Sequence, residues 1–409
     1  MAKGKNKPQI RFNEFTDVWE QRKLSEISTS FDYGLNAAAK EFDGENKYLR
    51  ITDIDDSSRE FITDDVTSPD IDFENSDNYL LADGDIVFAR TGASVGKTFI
   101  YRDFNGKTYF AGFLIRMKLK DNFCPEFVFQ NTLTDSYYNY IRITSQRSGQ
   151  PGVNAQEYGN YTLMLPSFEE QQQIGTYFRN LDNLITLHQR KYDQMVSVKK
   201  SMLEKLFVQD GATAPQIRFG DFTAPWRQVH LGDIVIPYAD PVETPHNGYE
   251  RLGIRSHGKG VFHEYVEAGK ELDTAHMHRV ASHNLIVNIT FAWEHAVAIT
   301  TDSDEGKLVS HRFPQFSMSD TIYDQFLKYL ILDAKFRHHL LLSSPGGAGR
   351  NRVLKVPEML EYEMMIPEIE EQRQIASYLN SLDDLIELYR IRLEKMKNIK
   401  TACLQKMFV

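Results

Sequence analysis

At 409 residues the chain is too long for one small core and fits two domains with connectors. Its 41% hydrophobic and 25% charged residues are ordinary for globular protein, and a formal charge of −10, from 47 basic against 57 acidic residues, argues against a general polyanion binder, so any nucleic-acid surface must be local. Two cysteines, Cys124 and Cys403, exclude a disulfide framework and imply a reducing compartment. The start, MAKGKNKPQIRF, has no apolar core, and no run of about 18 apolar residues marks a membrane span, so a cytoplasmic protein is expected.

The opening motif, PQIRFNEFTDVWEQRKLSEI over residues 8–27, returns as PQIRFGDFTAPWRQVHLGDI over 215–234, at an offset of 207. Phe12, Phe15, Trp19 and Leu24, matched by Phe219, Phe222, Trp226 and Leu231, read as a packing anchor. Over 28–164 short β-type runs alternate with turn residues: strands at 48–52 and 86–90, a Gly-rich loop over 91–98, a strand at 99–101 and a turn at Asn105-Gly106. Helical spacing fills 125–145, and a polar Gly loop covers 148–154. After a polar joint at 209–214 the grammar recurs with other residues: strands at 249–255 and 284–293, one helix over 321–342, and a loop at 344–352.

Residues 165–208 and 366–409 align without a gap at an offset of 201, with 18 of 44 positions identical, which makes them a duplicated element. In the first copy Phe178, Leu181, Ile185, His188, Tyr192, Met195, Lys199, Met202 and Leu206 follow coiled-coil spacing. The second copy gives Leu379, Leu382, Ile386, Tyr389, Leu393, Met396, Lys400, Cys403 and Met407. Ser167 and Glu170 have the pattern of a capping box, and a helix over 169–208 makes a rod of about 60 Å. So long and one-sided a helix must pack on its twin. Lys199 and Lys400 hold the same heptad position, so they repel in a parallel pair, and antiparallel packing is expected.

No catalytic or metal constellation emerges. Gly92 to Thr98 imitates a phosphate loop but has three residues between its glycines where four are needed, and strands flank it where a helix must follow. Pro345-Gly-Gly-Ala-Gly349 lacks the third glycine and the leading strand of a dinucleotide fingerprint. Eleven of twelve histidines follow residue 229 without ligand spacing. No Pro-Pro dipeptide occurs, which removes the signature of amino-methyltransferases.

The duplicated pattern resembles the specificity (S, HsdS) subunits of type I restriction-modification systems. The resemblance rests on Pro166 with Glu170, Gln171 and Ile174, and on Pro367 with Glu371, Gln372 and Ile375, each followed by Leu-Asp-x-Leu-Ile and a terminal Phe-Val. It implies an α+β protein with a pseudo-twofold internal repeat: two globular mixed α/β target recognition domains, residues 1–164 and 215–365, joined by two long helices in an antiparallel coiled coil, residues 165–214 and 366–409. It implies a non-catalytic subunit that reads a split target in double-stranded DNA and joins two modification (methyltransferase) subunits and two restriction (motor-nuclease) subunits. S-adenosylmethionine, ATP and Mg are then cofactors of the partners, with none in this chain.

Against that expectation, residues 28–164 hold 13 Lys+Arg and 21 Asp+Glu, so the acidic stretch 53–85 is expected to face away from DNA. Arg50, Arg90, Thr91, Gly92, Ser94, Lys97, Arg142, Arg147, Ser148 and Gln150 are the candidate DNA contacts in the first domain. Arg255, Lys259, Arg350, Asn351 and Arg352 are those in the second, with Arg251 and Arg279 near them. Glu170, Gln171, Ile185, Tyr192, Lys199, Glu371, Gln372, Ile386, Leu393 and Lys400 are assigned to spacer or partner faces of the helices. The rival functions are a coiled-coil adaptor that binds proteins, which the acidity favours, and a nucleotide enzyme using the Gly92 loop.

Overall fold

The computed structural model describes residues 7–102, 106–147, 149–209, 211–220, 222–272, 274, 276–346 and 352–409. The chain divides into two compact units, Met1–Asp193 with Leu388–Val409, and Gln194–Glu387.

In the first unit a four-stranded antiparallel sheet has the order Ser28–Tyr33, Leu114–Leu119, Ile86–Ala89, Thr98–Ile100. Every residue of Ile86–Ala89 is buried, as an unbroken apolar run requires of a strand covered on both faces. The helical pattern over 125–145 folds as two helices, Pro125–Asn131 and Asp135–Thr144. The break comes where the Thr132 hydroxyl donates to the Phe129 carbonyl (2.6 Å) and the Thr134 side chain caps the second helix. Strand Glu20–Lys23 of the opening motif pairs with Thr162–Leu165, and buried Trp19 meets Phe127 edge-on at 5.7 Å.

The second unit repeats the connectivity with the sheet Val235–Tyr238, Gln315–Met318, Leu285–Val287, Val297–Ile299. It adds a five-stranded sheet that includes the hairpin Tyr249–Ile254 and Val261–Val266. The single helix expected over 321–342 is again two, Asp324–Ile331 and Ala334–Leu342, because Asp333 is extended between them (ψ 151°).

The duplicated element forms two helices of 39 residues, a central one over Phe168–Leu206 and a terminal one over Ile369–Met407. The expected capping box is only half made. The Ser167 hydroxyl accepts the Glu170 N–H at 3.4 Å, but the Glu170 carboxylate goes instead to Arg11.

Within the first unit the central and terminal helices run antiparallel, as the lysine argument predicts. Tyr177 lies beside Cys403 (3.5 Å), Phe178 beside Phe408 (5.7 Å between rings), and Lys400 beside Asp182 (2.6 Å). Within the second unit Lys199 pairs with Asp383, and Phe207 stacks on Phe326 at 5.3 Å. Each aspartate also anchors its own globular part: Gln130 donates to Asp182 (2.7 Å), and the Tyr329 hydroxyl donates to Asp383 (2.9 Å). The core of each unit is therefore closed by the last turn of the helix that starts in the other repeat. Phe408 completes the cluster of Trp19, Phe127 and Phe178, and Phe207 packs on that of Trp226, Phe326 and Leu379.

Candidate nucleic-acid interface

In the first unit the strand Ile86–Ala89 leads into a loop that a second loop grips. The Arg90 N–H donates to the Phe113 carbonyl (3.0 Å), the Arg90 carbonyl accepts the Val153 N–H (2.9 Å), and the Gly92 N–H donates to the Pro151 carbonyl (3.0 Å). The two loops read separately in the sequence, around Thr91 to Ser94 and around Gln150, thus form one platform. Gly92 has φ 77°, and a Cβ there would lie 3.0 Å from the Gln150 amide nitrogen.

Buried tyrosines hold the platform from below. The Tyr158 hydroxyl donates to the Ala89 carbonyl (2.6 Å) and accepts the Gly96 N–H (3.1 Å), while the Tyr137 hydroxyl donates to the Gly96 carbonyl (3.1 Å). Burial pushes both phenols above their ordinary range, so they stay protonated donors. Gly96 is required there twice over, by φ 84° and by Ile141 only 2.6 Å from where a Cβ would stand. On top, the Arg90 guanidinium lies over the Tyr33 ring at 5.2 Å, and Tyr33 and Phe113 are 45% and 62% exposed.

The second unit builds the same backbone junction from other residues. The Ile289 N–H donates to the Arg312 carbonyl (3.0 Å) and its carbonyl accepts the Leu354 N–H (2.8 Å). Ile289 therefore stands where Arg90 does, and Arg312 where Phe113 does. Phe291 is exposed, the Trp293 indole donates to the Thr290 carbonyl (3.2 Å), and Arg352 lies over the Trp293 ring at 5.7 Å. His295 takes the left-handed turn position (φ 64°), buried, its Nε2 2.7 Å from the Ile331 carbonyl, and burial pulls its pKa below the ordinary value.

The tip of the hairpin docks on this turn. Ser256 donates to Glu294 (2.6 Å), the His257 N–H to the Glu294 carbonyl (2.7 Å), and the Gly258 N–H to the His295 carbonyl (2.9 Å). Arg255 and Lys259 are thereby brought, exposed, beside the turn, Arg255 over Phe262 at 5.2 Å.

Several candidates are buried or paired within the fold. Lys97 is only 8% exposed, donates to the Ile54 carbonyl (3.0 Å) and pairs with Asp56 (2.5 Å), so it is a structural cation at the base of the platform. That pairing brings Asp56 of the acidic stretch to the base of the platform, where it neutralises Lys97. Arg50 is clasped by Asp53 (2.9 and 2.8 Å), and Arg147 by Glu157 (2.5 Å). Arg251 and Arg279 pair with Glu264 (2.6 Å) and Asp240 (3.5 Å). Arg142 is exposed and touches Asn139. Ser148, Arg350 and Asn351 lie outside the described residues. Sequence reading missed Tyr33, Phe113, Phe291 and Arg312, which no motif marks.

On the helices, Glu170, Gln171, Glu371 and Gln372 are buried and offer no face to a partner. Arg11 forks onto Glu170 (2.7 and 2.7 Å) and Arg218 onto Glu371 (2.8 and 2.6 Å), so the two repeated motifs lock together in each unit. Gln171 accepts the Cys124 N–H (3.2 Å), and Gln372 the Tyr323 N–H (2.8 Å). Leu393 is buried and Ile185, Tyr192 and Ile386 are half-buried, as an a/d stripe requires. Among the described residues no group of three or more His, Cys, Asp or Glu is placed to hold a metal, and no helix is long and apolar enough to cross a membrane.

A family model of the type I restriction modification DNA specificity domain matches residues 16–195 and 282–398. The chain is 24% identical over 357 residues to the type I restriction enzyme MjaVIII specificity subunit of Methanocaldococcus jannaschii, covering 84% of this chain and 82% of that one. It is 23% identical over 431 aligned positions to the putative MjaX specificity subunit of the same organism, covering 97% and 94%. Its fold is similar to the crystal structure of the S subunit of the type I restriction-modification system from M. genitalium, at a TM-score of 0.63 and 13% identity, covering 98% and 99%. With the family model matched over more than half its length, the chain belongs to the type I restriction-modification DNA specificity family and is a non-catalytic subunit.

Proposed function

We propose that each unit reads one half of a split double-stranded DNA target, with residues 1–164 and 215–365 as reading domains and residues 165–214 and 366–409 as the spacer. One observation carries the reading: the backbone junction at Arg90 is rebuilt at Ile289 with nearly every exposed side chain changed. Reading two different half-sequences needs that combination, a fixed frame with different donors and acceptors on it. Half-sites on one duplex face lie about 34 Å apart, and a helix of 39 residues, about 58 Å, is long enough to set such a gap. Arg90, Thr91, Gly92, Ser94 and Gln150 serve the first half, and Arg255, Lys259 and Arg352 the second.

Two modification subunits dock on this chain and transfer a methyl group from S-adenosylmethionine to N6 of an adenine, which they must flip from the stack. Two restriction subunits add ATP- and Mg-dependent motor and nuclease activity. The test is the methylome of cells with this chain and its methyltransferase partner against cells lacking this chain. A split adenine motif that appears only with the chain supports the reading. Its absence favours the adaptor, to which the excess of 21 acids over 13 bases in residues 28–164 gives weight.

A further inference from the structure

Other arginines of the two units are neutralised by carboxylates: Arg50 by Asp53, Arg102 by Glu126, Arg147 by Glu157 and Arg251 by Glu264. Arg90, Arg352 and Arg255 are different, and Arg255, over Phe262, already spends a guanidinium N–H on the Val261 carbonyl, which leaves Arg90 and Arg352. Among the described residues neither has a carboxylate within 4.0 Å, and each guanidinium lies over an aromatic ring, Tyr33 at 5.2 Å and Trp293 at 5.7 Å. They flank corresponding backbone junctions from opposite sides. Arg90 is the residue that ends the strand side, through its bonds to Phe113 and Val153. Arg352 is on the incoming loop, two residues before Leu354, whose N–H bonds the Ile289 carbonyl.

A ring face under a guanidinium restrains it while leaving its edge donors unspent. An unpaired planar fork suits the O6 and N7 acceptors of guanine in the major groove; a phosphate takes the same fork but carries no sequence, so a uniform loss across sequences is its signature. Prior immobilisation on the ring lowers the ordering cost of that contact. We propose that Arg90 and Arg352 are the guanine readers of the two half-sites, one each, and that Tyr33 and Trp293 are the positioning residues that aim them. The proposal rests on the DNA-reading function above.

The experiment uses the full chain assembled with its methyltransferase partner, on DNA libraries randomised in one half-site at a time, with methylated products sequenced. Arg90→Lys keeps the charge and loses the fork. It should relax discrimination at one G·C position of one half-site by about ten- to a hundredfold, leaving every other position as in the parent. Arg352→Lys should do the same in the other half. Tyr33→Leu and Trp293→Leu should relax the same positions less. Gel-shift competition on the same libraries replaces sequencing for any variant that methylates too slowly, and co-purification with the partner verifies assembly. A uniform loss across all sequences, an unchanged motif, or relaxation in both halves from one substitution overturns the proposal. If the parent complex itself selects no split motif, the DNA-reading function fails instead.

Discussion

Lys400 Nζ lies 2.6 Å from Asp182 Oδ1, with the side chains only 17% and 12% exposed, and the matching positions of the repeat meet as Lys199 and Asp383 in the second unit. Removing one partner strands a mostly buried charge. Lys400→Met should cost about 2–4 kcal/mol in urea unfolding. The swap Asp182→Lys with Lys400→Asp should recover part of that, with a coupling of about 1–3 kcal/mol across the cycle. Additive single effects would mean that the pair does not lock the register.

Arg11 and Glu170 pose a harsher case, because the Glu170 side chain is fully buried. Arg11→Ala leaves that carboxylate without its fork and should destabilise by about 3–5 kcal/mol. Adding Glu170→Gln should restore a substantial part, and Arg218→Ala with Glu371→Gln should behave alike. Urea midpoints of the four variants decide the matter.

Phe408 is 8% exposed between Phe127 and Phe178, at ring distances of 5.1 and 5.7 Å. Phe408→Ala should cost about 2–4 kcal/mol through the cavity it leaves. Hydrogen exchange should place the loss in the first unit, while Phe207→Ala loosens the second. Equal loosening of both units by either change contradicts this assignment of cores.

His295 gives a pH dependence with a definite sign. Its folded pKa lies below the ordinary 6.5 because burial disfavours the charged ring. Between the two values the unfolded state binds the proton and the folded state does not, so stability is full above about pH 6.5 and falls as the pH drops below it. Protection factors of amides 288–296, taken against the intrinsic exchange rate at each pH, should therefore fall between pH 7 and pH 5.5. His295→Asn, which tolerates the left-handed turn, should remove that dependence.

Insertion of four residues in the joint 209–214 should change the unread gap of the target and leave both half-sequences intact. Methylome sequencing reads both at once. A change in either half-sequence refutes the spacer assignment.

The repeat and the direction of the helix pair were legible because offsets of 201 and 207 and the shared lysine position are properties of spacing. The break at Asp333 was not, since the apolar period runs through it on both sides. Lys97 misled because a lysine in a Gly-rich loop looks the same in sequence whether it faces a ligand or, as here, the Ile54 carbonyl and Asp56. The platform itself depends on contacts between residues far apart in the chain, such as Arg90 with Val153, and the lock of Arg11 on Glu170 spans 159 residues. Periodicity carries no information at that range.

Asp182 takes its domain-side hydrogen bond from an amide, Gln130, and Asp383 takes its own from a phenol, Tyr329. The same carboxylate on the same duplicated helix thus accepts two chemically different plugs. A reading domain from another chain would need only some donor at that spot and a ring near Phe408 or Phe207 to seat itself. Recombination at the repeated motifs would then exchange one globular part for another in a single step, and on the proposed function one half-sequence for another, with no compensating change in the helices.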